Sequence, residues 1–205
     1  MGWHARRIMR TICLLLALLC IGFLCNNFAQ TKINLEDFDE TAVPPDLIVK
    51  ERKVDNGVER QGVDSSRRVY YEMTVDQSGK LLNDTSVRKF VYDKKGNYII
   101  MDQDAEGGIV PLKLGASYCW IVPGRQDQFL RKAWIDKEGG VLEEERRAYD
   151  DQGRLTQEGL VDPASGSFTQ EYRHRYSEDG KSQFTTEFLN GQQVGEESQS
   201  TLSGE

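Results

Sequence analysis

Alternation of apolar and polar positions is the clearest pattern in this chain. Residues 87–92 alternate and are rich in β-branched and aromatic side chains. Residues 67–75 alternate as well, and one face of that segment carries Val69, Tyr71, Met73 and Val75. A period of two residues is typical of a strand with one buried face. The pattern predicts a strand in each segment.

The best candidate for a helix after position 29 is the segment of residues 140–149. It contains three successive Glu residues and two Arg residues, with too few apolar positions for a helix to dock on a core. We therefore predict a solvated strand here. Elsewhere after position 29, no window of eleven or more residues has a convincing apolar stripe of helical period. The fold class predicted from these patterns is all-β.

A recurrent turn signal separates the predicted strands. An apolar or aromatic residue is followed by Asp, then by two or three mostly polar residues, and then by Gly. Asp at the first turn position accepts a hydrogen bond from the backbone two residues on, and Gly adopts the left-handed conformation that closes the hairpin. The clearest structural turns have their Asp and Gly at Asp76 and Gly79, Asp93 and Gly96, Asp136 and Gly139, and Asp150 and Gly153.

Two Asn-Gly pairs, Asn56-Gly57 and Asn190-Gly191, predict two-residue hairpin turns of type I′. Regularly spaced turns predict that each strand pairs with the next in antiparallel fashion. The expected architecture is an antiparallel β-meander, or a short array of hairpin repeats, that forms an extended twisted sheet. The predicted segments are a signal peptide (1–29), an extended leader (30–46), an N-terminal β-meander (47–125), a β-repeat region (126–196) and a disordered tail (197–205).

The turn sequences carry a resemblance to a known class of repeats. Residues 149–155, YDDQGRL, resemble the YD repeat of RHS-type bacterial proteins, and residues 92–98, YDKKGNY, resemble it more loosely. Residues 131–196 are also similar to the MORN-like repeats of small bacterial proteins. The resemblance implies a stacked or twisted antiparallel sheet in an exported bacterial protein. It brings no catalytic residues, and the chain has too few units for the encapsulating role of full RHS proteins.

The first 29 residues have the layout of a secretory signal peptide. Arg6, Arg7 and Arg10 precede an apolar run over residues 12–25, and polar residues then lead to Ala29. The apolar run is short for a transmembrane helix, so we predict cleavage after Ala29, with an uncleaved anchor as the alternative. The expected location is secreted or periplasmic, with no stable membrane span after cleavage.

Charge and cysteine content change once this segment is removed. The whole chain has 205 residues and a net charge of −7. The first 29 residues hold three of the 26 basic residues and none of the 33 acidic ones, so the remaining 176 residues have a net charge of −10. Such acidity argues against nucleic acid as a partner. One cysteine remains, Cys119, so an intramolecular disulfide is excluded; the residue is a buried apolar side chain or, alternatively, a reactive thiol.

Few residues after position 29 suit catalysis, and we predict that the protein is not an enzyme. His174 is the only histidine there, which excludes sites built from two or three His ligands. It is interpreted as a surface or cross-strand packing residue, with a His174-dependent hydrolase as the alternative. Residues 102–104 and 150–151 are rich in Asp but match no calcium-binding loop. We expect neither a metal nor another cofactor.

Aromatic residues supply the candidate binding surface. Its members are Tyr118, Trp120, Phe129 and Trp134. Flat aromatic strips bind sugar rings or proteins, although the same residues could instead form the core of the sheet. The expected function is that of an exported, non-enzymatic binding or structural module whose partner is an envelope protein or a glycan. The alternatives are a periplasmic half-barrel that carries lipid or lipoprotein, and a carboxylate-dependent glycan hydrolase.

Overall fold

The computed structural model describes residues 32–82, 86–126 and 128–202. The predicted signal peptide, residues 1–29, lies outside the described residues. None of the helical structure in these described ranges is long and apolar enough to cross a membrane.

The described residues form one antiparallel sheet, which confirms the all-β prediction and the β-meander. Each strand pairs with the next along the chain, except that β5 pairs with both the two-residue β6 and β7. The strands are β1 (Ile48–Val54), β2 (Gly57–Val63), β3 (Val69–Val75), β4 (Val87–Tyr92), β5 (Tyr98–Gln103), β6 (Ile109–Val110), β7 (Tyr118–Pro123), β8 (Phe129–Ile135), β9 (Val141–Tyr149), β10 (Leu155–Val161), β11 (Phe168–Tyr176), β12 (Ser182–Leu189) and β13 (Gln192–Thr201).

Three predicted segments can be compared directly with the strands. The segments 67–75 and 87–92 correspond to β3 and β4, and the segment 140–149 corresponds to β9, which confirms a strand in each. The solvated character predicted for β9 is only partly right, because Glu144 is buried there. The meander also continues across the predicted boundary at residue 125, since β7 and β8 pair along their length.

The strand registers define two faces of the sheet. Ile99, Trp120 and Ala133 lie directly opposite one another in β5, β7 and β8, and we call their side the core face. On the opposite face, the same three strands carry Tyr98, Ile121 and Lys132. Because side chains alternate along each strand, the registers assign residues of the other strands to one face or the other.

The hydrophobic core lies on the core face, at the middle of the sheet. Its buried members are Ile33, Phe38, Val91, Ile99, Met101, Tyr118, Trp120, Ala133 and Ile135. Two of these, Ile33 and Phe38, belong to residues 32–38, which precede the first strand. The amide of Ile33 donates a hydrogen bond to the carbonyl of Gly139 at 2.8 Å, and Lys32 forms an isolated bridge with Gly140. We call residues 32–38 the N-terminal strap, because they cover the central strands.

The prediction of a simple extended leader for residues 30–46 is wrong for the N-terminal strap. A single 3-10 turn, Leu35–Asp37, lies within it, and the Asn34 side chain accepts a hydrogen bond from the amide of Glu36 at this turn. Apolar side chains on both sides of the turn then pack into the core. The leader is therefore part of the folded domain, for a reason that local pattern does not reveal: its partners are distant strands.

Two further predictions require correction. Residues 197–201, predicted as part of a disordered tail, belong to β13, because β12 offers its backbone groups as hydrogen-bond partners. The loop between β1 and β2 consists of Asp55 and Asn56, and neither Asn56 nor Gly57 has a positive φ, so the type I′ turn predicted there is wrong. Gly57 serves close packing instead, since a Cβ at this position would lie 2.1 Å from the carbonyl oxygen of Val75.

Candidate interaction surface

Backbone amides occupy the Asp carboxylates of the recurrent turns. In the turn after β4, Oδ1 of Asp93 accepts hydrogen bonds from the amides of Lys95 at 2.8 Å and Asn97 at 2.9 Å. Gly96 has a φ of +86° there. The same two hydrogen bonds are made by Asp76, Asp104, Asp136 and Asp150. The φ angles are also positive at Gly79, Gly107, Gly139 and Gly153. These hydrogen bonds hold the hairpins closed, so the turns account for one oxygen of each of these Asp carboxylates.

The four aromatic candidates do not form one exposed strip. Tyr118 and Trp120 are both buried in the core, where they share the core face as their spacing predicts. Trp134 lies on the opposite face, where the ammonium groups of Lys132 and Lys113 approach its ring to 5.2 and 5.6 Å. These residues support packing within the sheet more directly than recognition of a sugar.

Phe129 contacts a different side chain from the other aromatic candidates. The guanidinium of Arg147 lies 4.3 Å from the centre of its ring, a distance typical of a cation-π contact. Similar arginine stacks cover aromatic rings in the last strands, with Arg154 on Tyr176, Arg173 on Phe188 and Arg175 on Phe184. One face of each of these four rings is therefore covered by an arginine of the same chain.

His174 lies between two strands on the opposite face. Its Nδ1 is 2.9 Å from the hydroxyl of Thr185 in β12, and its Nε2 is 3.6 Å from Oε1 of Glu158 in β10. Nε2 is buried and has no hydrogen-bond partner among the described residues. The contact with Thr185 is a cross-strand packing contact, as the sequence interpretation expected. The arrangement places a carboxylate and a hydroxyl beside the imidazole.

Cys119 is buried at the centre of the sheet. It lies on the opposite face, next to Trp134 of β8. Burial raises the pKa of its thiol to about 11, with the positive charges of Lys132 and Arg88 acting in the other direction. Since the thiolate is the reactive form of cysteine, this environment makes Cys119 unreactive at neutral pH.

Three of the acidic residues considered for calcium have partners within the chain. Asp102 forms a two-point ion pair with Arg88, at 2.9 and 3.1 Å, and Asp104 closes the turn after β5. Asp150 closes its own turn and also pairs with Arg154 at 2.7 Å. The backbone amide of Arg154 is the main cause that lowers the pKa of Asp150. Across the described ranges, no three His, Cys, Asp or Glu side chains are grouped so as to hold a metal ion.

A groove of about 680 Å³ runs along the first strands of the sheet. Its lining is dominated by charged side chains from β1 to β5. Most of them are paired across strands: Arg52 with Glu59, Arg60 with Glu51, and Arg88 with Asp102. The groove is therefore polar and internally neutralised rather than apolar.

Two buried carboxylates were not recognised in the sequence. Glu144 accepts hydrogen bonds from Nε of Arg131 at 2.6 Å and Nε of Arg146 at 2.7 Å. Burial opposes its ionisation, but the two guanidinium groups outweigh this and lower its pKa. Glu171 is held by Arg173 and Gln157, both at 2.6 Å, and the hydrogen bond from Arg173 is the main cause that lowers its pKa. Arg146 and Arg173 lie two residues from their carboxylates on the same strand, whereas Arg131 and Gln157 are brought there by the strand register. Alternation along the strand is therefore a local signal for one partner of each carboxylate, and the sequence gives none for the other.

The two outermost strands are almost entirely exposed. β1 and β13 stand at the two ends of the strand order, and each pairs on one side only among the described residues. All ten residues of β13 are exposed, as are six of the seven residues of β1. An edge strand presents a row of backbone donors and acceptors that can pair with another strand. We call β1 and β13 the edge strands and take them as the candidate interaction surface.

No protein-family model matches this chain, and no curated protein matches it. The geometry of the sheet and its edges therefore carries the functional argument.

Proposed function

We propose that this chain is an exported bacterial protein of the envelope or exterior that acts as a non-enzymatic binding or structural module. The single observation that carries the proposal is the open sheet with two exposed edge strands, β1 and β13. Addition of a partner strand to a sheet edge is a common mode of protein recognition, in which backbone hydrogen bonds supply affinity and side chains supply specificity. The signal-like first 29 residues and the resemblance to YD and MORN-like repeats support export and a repetitive scaffold.

The two buried carboxylates, Glu144 and Glu171, do not suit a glycan hydrolase. Hydrolysis of a glycosidic bond requires one carboxylic acid that stays protonated because its pKa is raised. Arginine side chains lower the pKa of both Glu144 and Glu171. Both groups are ionised at neutral pH and are held in ion pairs, so they stabilise the sheet rather than supply a proton.

The charged lining of the groove does not suit a lipid carrier. A half-barrel that carries an acyl chain needs an apolar concave surface, whereas the groove beside β1 to β5 is lined mainly by paired charges. The apolar residues on the core face lie under the N-terminal strap instead. A protein that adds a strand to an edge of the sheet is therefore better supported as a partner than a lipid.

Photo-crosslinking in the native host tests this function. A photoreactive residue is placed at Val49 of β1 or Val194 of β13, and matched controls carry it at Leu142 of β9 or Leu160 of β10, which are exposed on interior strands. We expect adducts from the edge positions to exceed those from the controls. Equal labelling at all four positions, or turnover of glycans by the purified protein, would contradict the proposal.

A further inference from the structure

The strand order fixes the relative direction of the two edge strands. Twelve strands of the described part of the chain follow one another from β1 to β13, and each neighbouring pair is antiparallel. Because this number is even, β13 runs opposite to β1. A second copy placed beside β13 in the same orientation presents its β1 antiparallel to that strand, so the meander continues from one copy into the next.

The two edge strands carry opposite charges. The charged residues of β1 are Lys50, Glu51, Arg52 and Lys53, which give a net charge of +2. The charged residues of β13 are Glu196 and Glu197, which give a net charge of −2. Opposite charges that face each other across paired strands stabilise the pair, and like charges destabilise it. The β1 edge of one copy therefore matches the β13 edge of another.

Pairing of identical edges is disfavoured by the same charges. If two β1 strands paired antiparallel about their centres, Glu51 would face Glu51 and Lys50 would face Arg52. If two β13 strands paired in the same way, Glu196 of each copy would face Glu197 of the other. Each arrangement opposes like charges, so a two-fold symmetric dimer through either edge is the weaker assembly.

We propose, on the basis of the proposed function, that the partner of the edge strands is a second copy of this chain, bound head to tail through β1 and β13. Such an interface joins two different surfaces of the same protein. It extends into an open chain of copies, or closes into a ring if the rotation between copies allows it. The module then builds a longer sheet from successive copies.

If each face of the sheet continues from one copy into the next, the register between β13 and the second copy's β1 is restricted. Glu197 lies on the core face, where it pairs with Arg175 of β11. The registers of β1 to β5 place Glu51 on the core face, so Val49 and Lys53 share it. A shift of one residue would exchange the faces, and Glu197 must therefore meet Val49, Glu51 or Lys53. Lys53 is the only cation of the three, so the expected register sets Glu197 opposite Lys53.

Disulfide trapping between two variants, each with one introduced cysteine, tests this arrangement. One chain carries Lys53→Cys and the other carries Glu197→Cys, and both are purified after export. Directly opposed residues of antiparallel strands are close enough for a disulfide, whereas native Cys119 is buried. We expect the mixture to form about tenfold more disulfide-linked dimer than either chain alone. The control mixture carries Lys94→Cys and Lys137→Cys, at exposed turn positions, and should show no such gain.

Sedimentation velocity of the unaltered protein provides the second measurement. We expect its mass to rise with protein concentration and to fall again at high salt, since the edge charges are exposed. Lys53→Glu should weaken this association, and Lys53→Glu combined with Glu197→Lys should restore it.

Three results would overturn the proposal. They are disulfide-linked dimers formed by one cysteine variant alone, a yield in the mixture no higher than in the control, and a monomer at every concentration. If the protein stays monomeric while photo-crosslinking from Val49 or Val194 captures a different envelope protein, the proposed function stands and self-assembly fails. If neither a copy nor another protein is captured at the edges, both fail.

Discussion

The middle of the sheet and its C-terminal strands, β10 to β13, share antiparallel pairing but differ in what stabilises them. The middle strands β4, β5, β7 and β8 bury a continuous apolar cluster beneath the N-terminal strap. Strands β12 and β13 contain no buried residue. Their aromatic rings are covered by arginine side chains instead, as in the stack of Arg175 on Phe184 at 3.8 Å.

This difference shows that turn chemistry and strand pairing suffice to extend a sheet, while a core requires a second layer. The turns that begin at Asp93, in the middle, and at Asp150, near the end, have the same hydrogen bonds. Only the middle strands lie under the strap. Most of the hydrophobic stabilisation should therefore reside in the middle, and the C-terminal strands should depend on many weaker contacts.

The largest expected effect is that of a core aromatic residue. Trp120→Ala should lower the free energy of unfolding by about 3–5 kcal/mol, because Trp120 is buried in the cluster. The matched change in the C-terminal strands, Phe184→Ala, should cost only about 1 kcal/mol, because the ring is partly exposed and covered mainly by Arg175. Urea unfolding followed by far-ultraviolet circular dichroism measures both. Equal losses would show that the two regions do not differ.

The buried ion pair of β9 tests the boundary between the two regions. Glu144→Gln should cost about 3 kcal/mol, because it leaves the guanidinium groups of Arg131 and Arg146 without their carboxylate. Its neighbour Glu145 pairs with Arg147 in a half-exposed position, and Glu145→Gln should cost at most about 1 kcal/mol. Equilibrium unfolding at neutral pH compares the two.

The pH dependence of the same variant gives an independent check. The folded pKa of Glu144 is lowered, so its ionisation stabilises the protein above the unfolded pKa of about 4.3 and this contribution disappears as the pH falls through the lower folded value. Glu144→Gln should therefore reduce the acid-induced loss of stability below pH about 4.3. An unchanged acid transition would show that Glu144 does not contribute to it.

Two glycines in equivalent turns isolate the effect of the strap. Both Gly96 and Gly139 have a φ of +86°. A Cβ at Gly96 meets nothing within 4 Å, whereas at Gly139 it would lie 2.2 Å from the carbonyl oxygen of Ile33 in the strap. Gly96→Ala should cost about 1 kcal/mol from backbone strain alone, and Gly139→Ala about 2 kcal/mol more, because the strap must shift. Thermal and urea unfolding of both variants measure the difference. Equal costs would mean that the strap is not held against this turn.

The features that sequence predicts here are the local ones. Alternation marks β4 at Val87–Tyr92, and the Asp to Gly spacing matches the geometry of the turn at Asp93, since both depend on neighbouring residues. The strap was missed because Ile33 and Phe38 stand apart in a polar segment, and their partners lie in β4 to β8. Glu144 was missed for a related reason: strong charge on both faces of β9 suggests exposure, and only pairing with β8 places Arg131 beside it.

The edge strands, which form the candidate interaction surface, also do not follow from local sequence. The sequence of β13 is polar except for Val194, and its last five residues, 197–201, fall in the predicted disordered tail. It forms a strand because β12 supplies a backbone partner along its length. Its exposure, and its direction opposite to β1, follow from the whole strand order and from no local motif. Of the aromatic candidates, Tyr118 and Trp120 lie in the core, whereas Phe129 and Trp134 contact cationic side chains of the same sheet.

The smallest expected effect concerns a single arginine stack of the C-terminal strands. Arg154 lies 4.4 Å from the ring centre of Tyr176 and pairs with Asp150, so Arg154→Lys keeps the charge but loses the planar stack. A double-mutant cycle with Tyr176→Leu should give a coupling of about 0.5–1 kcal/mol. Lys137→Arg, at an exposed turn, serves as the control and should show no coupling with Tyr176→Leu. A coupling above about 2 kcal/mol would place a dominant contact in this region and contradict the view that its stability is spread over many weak pairs.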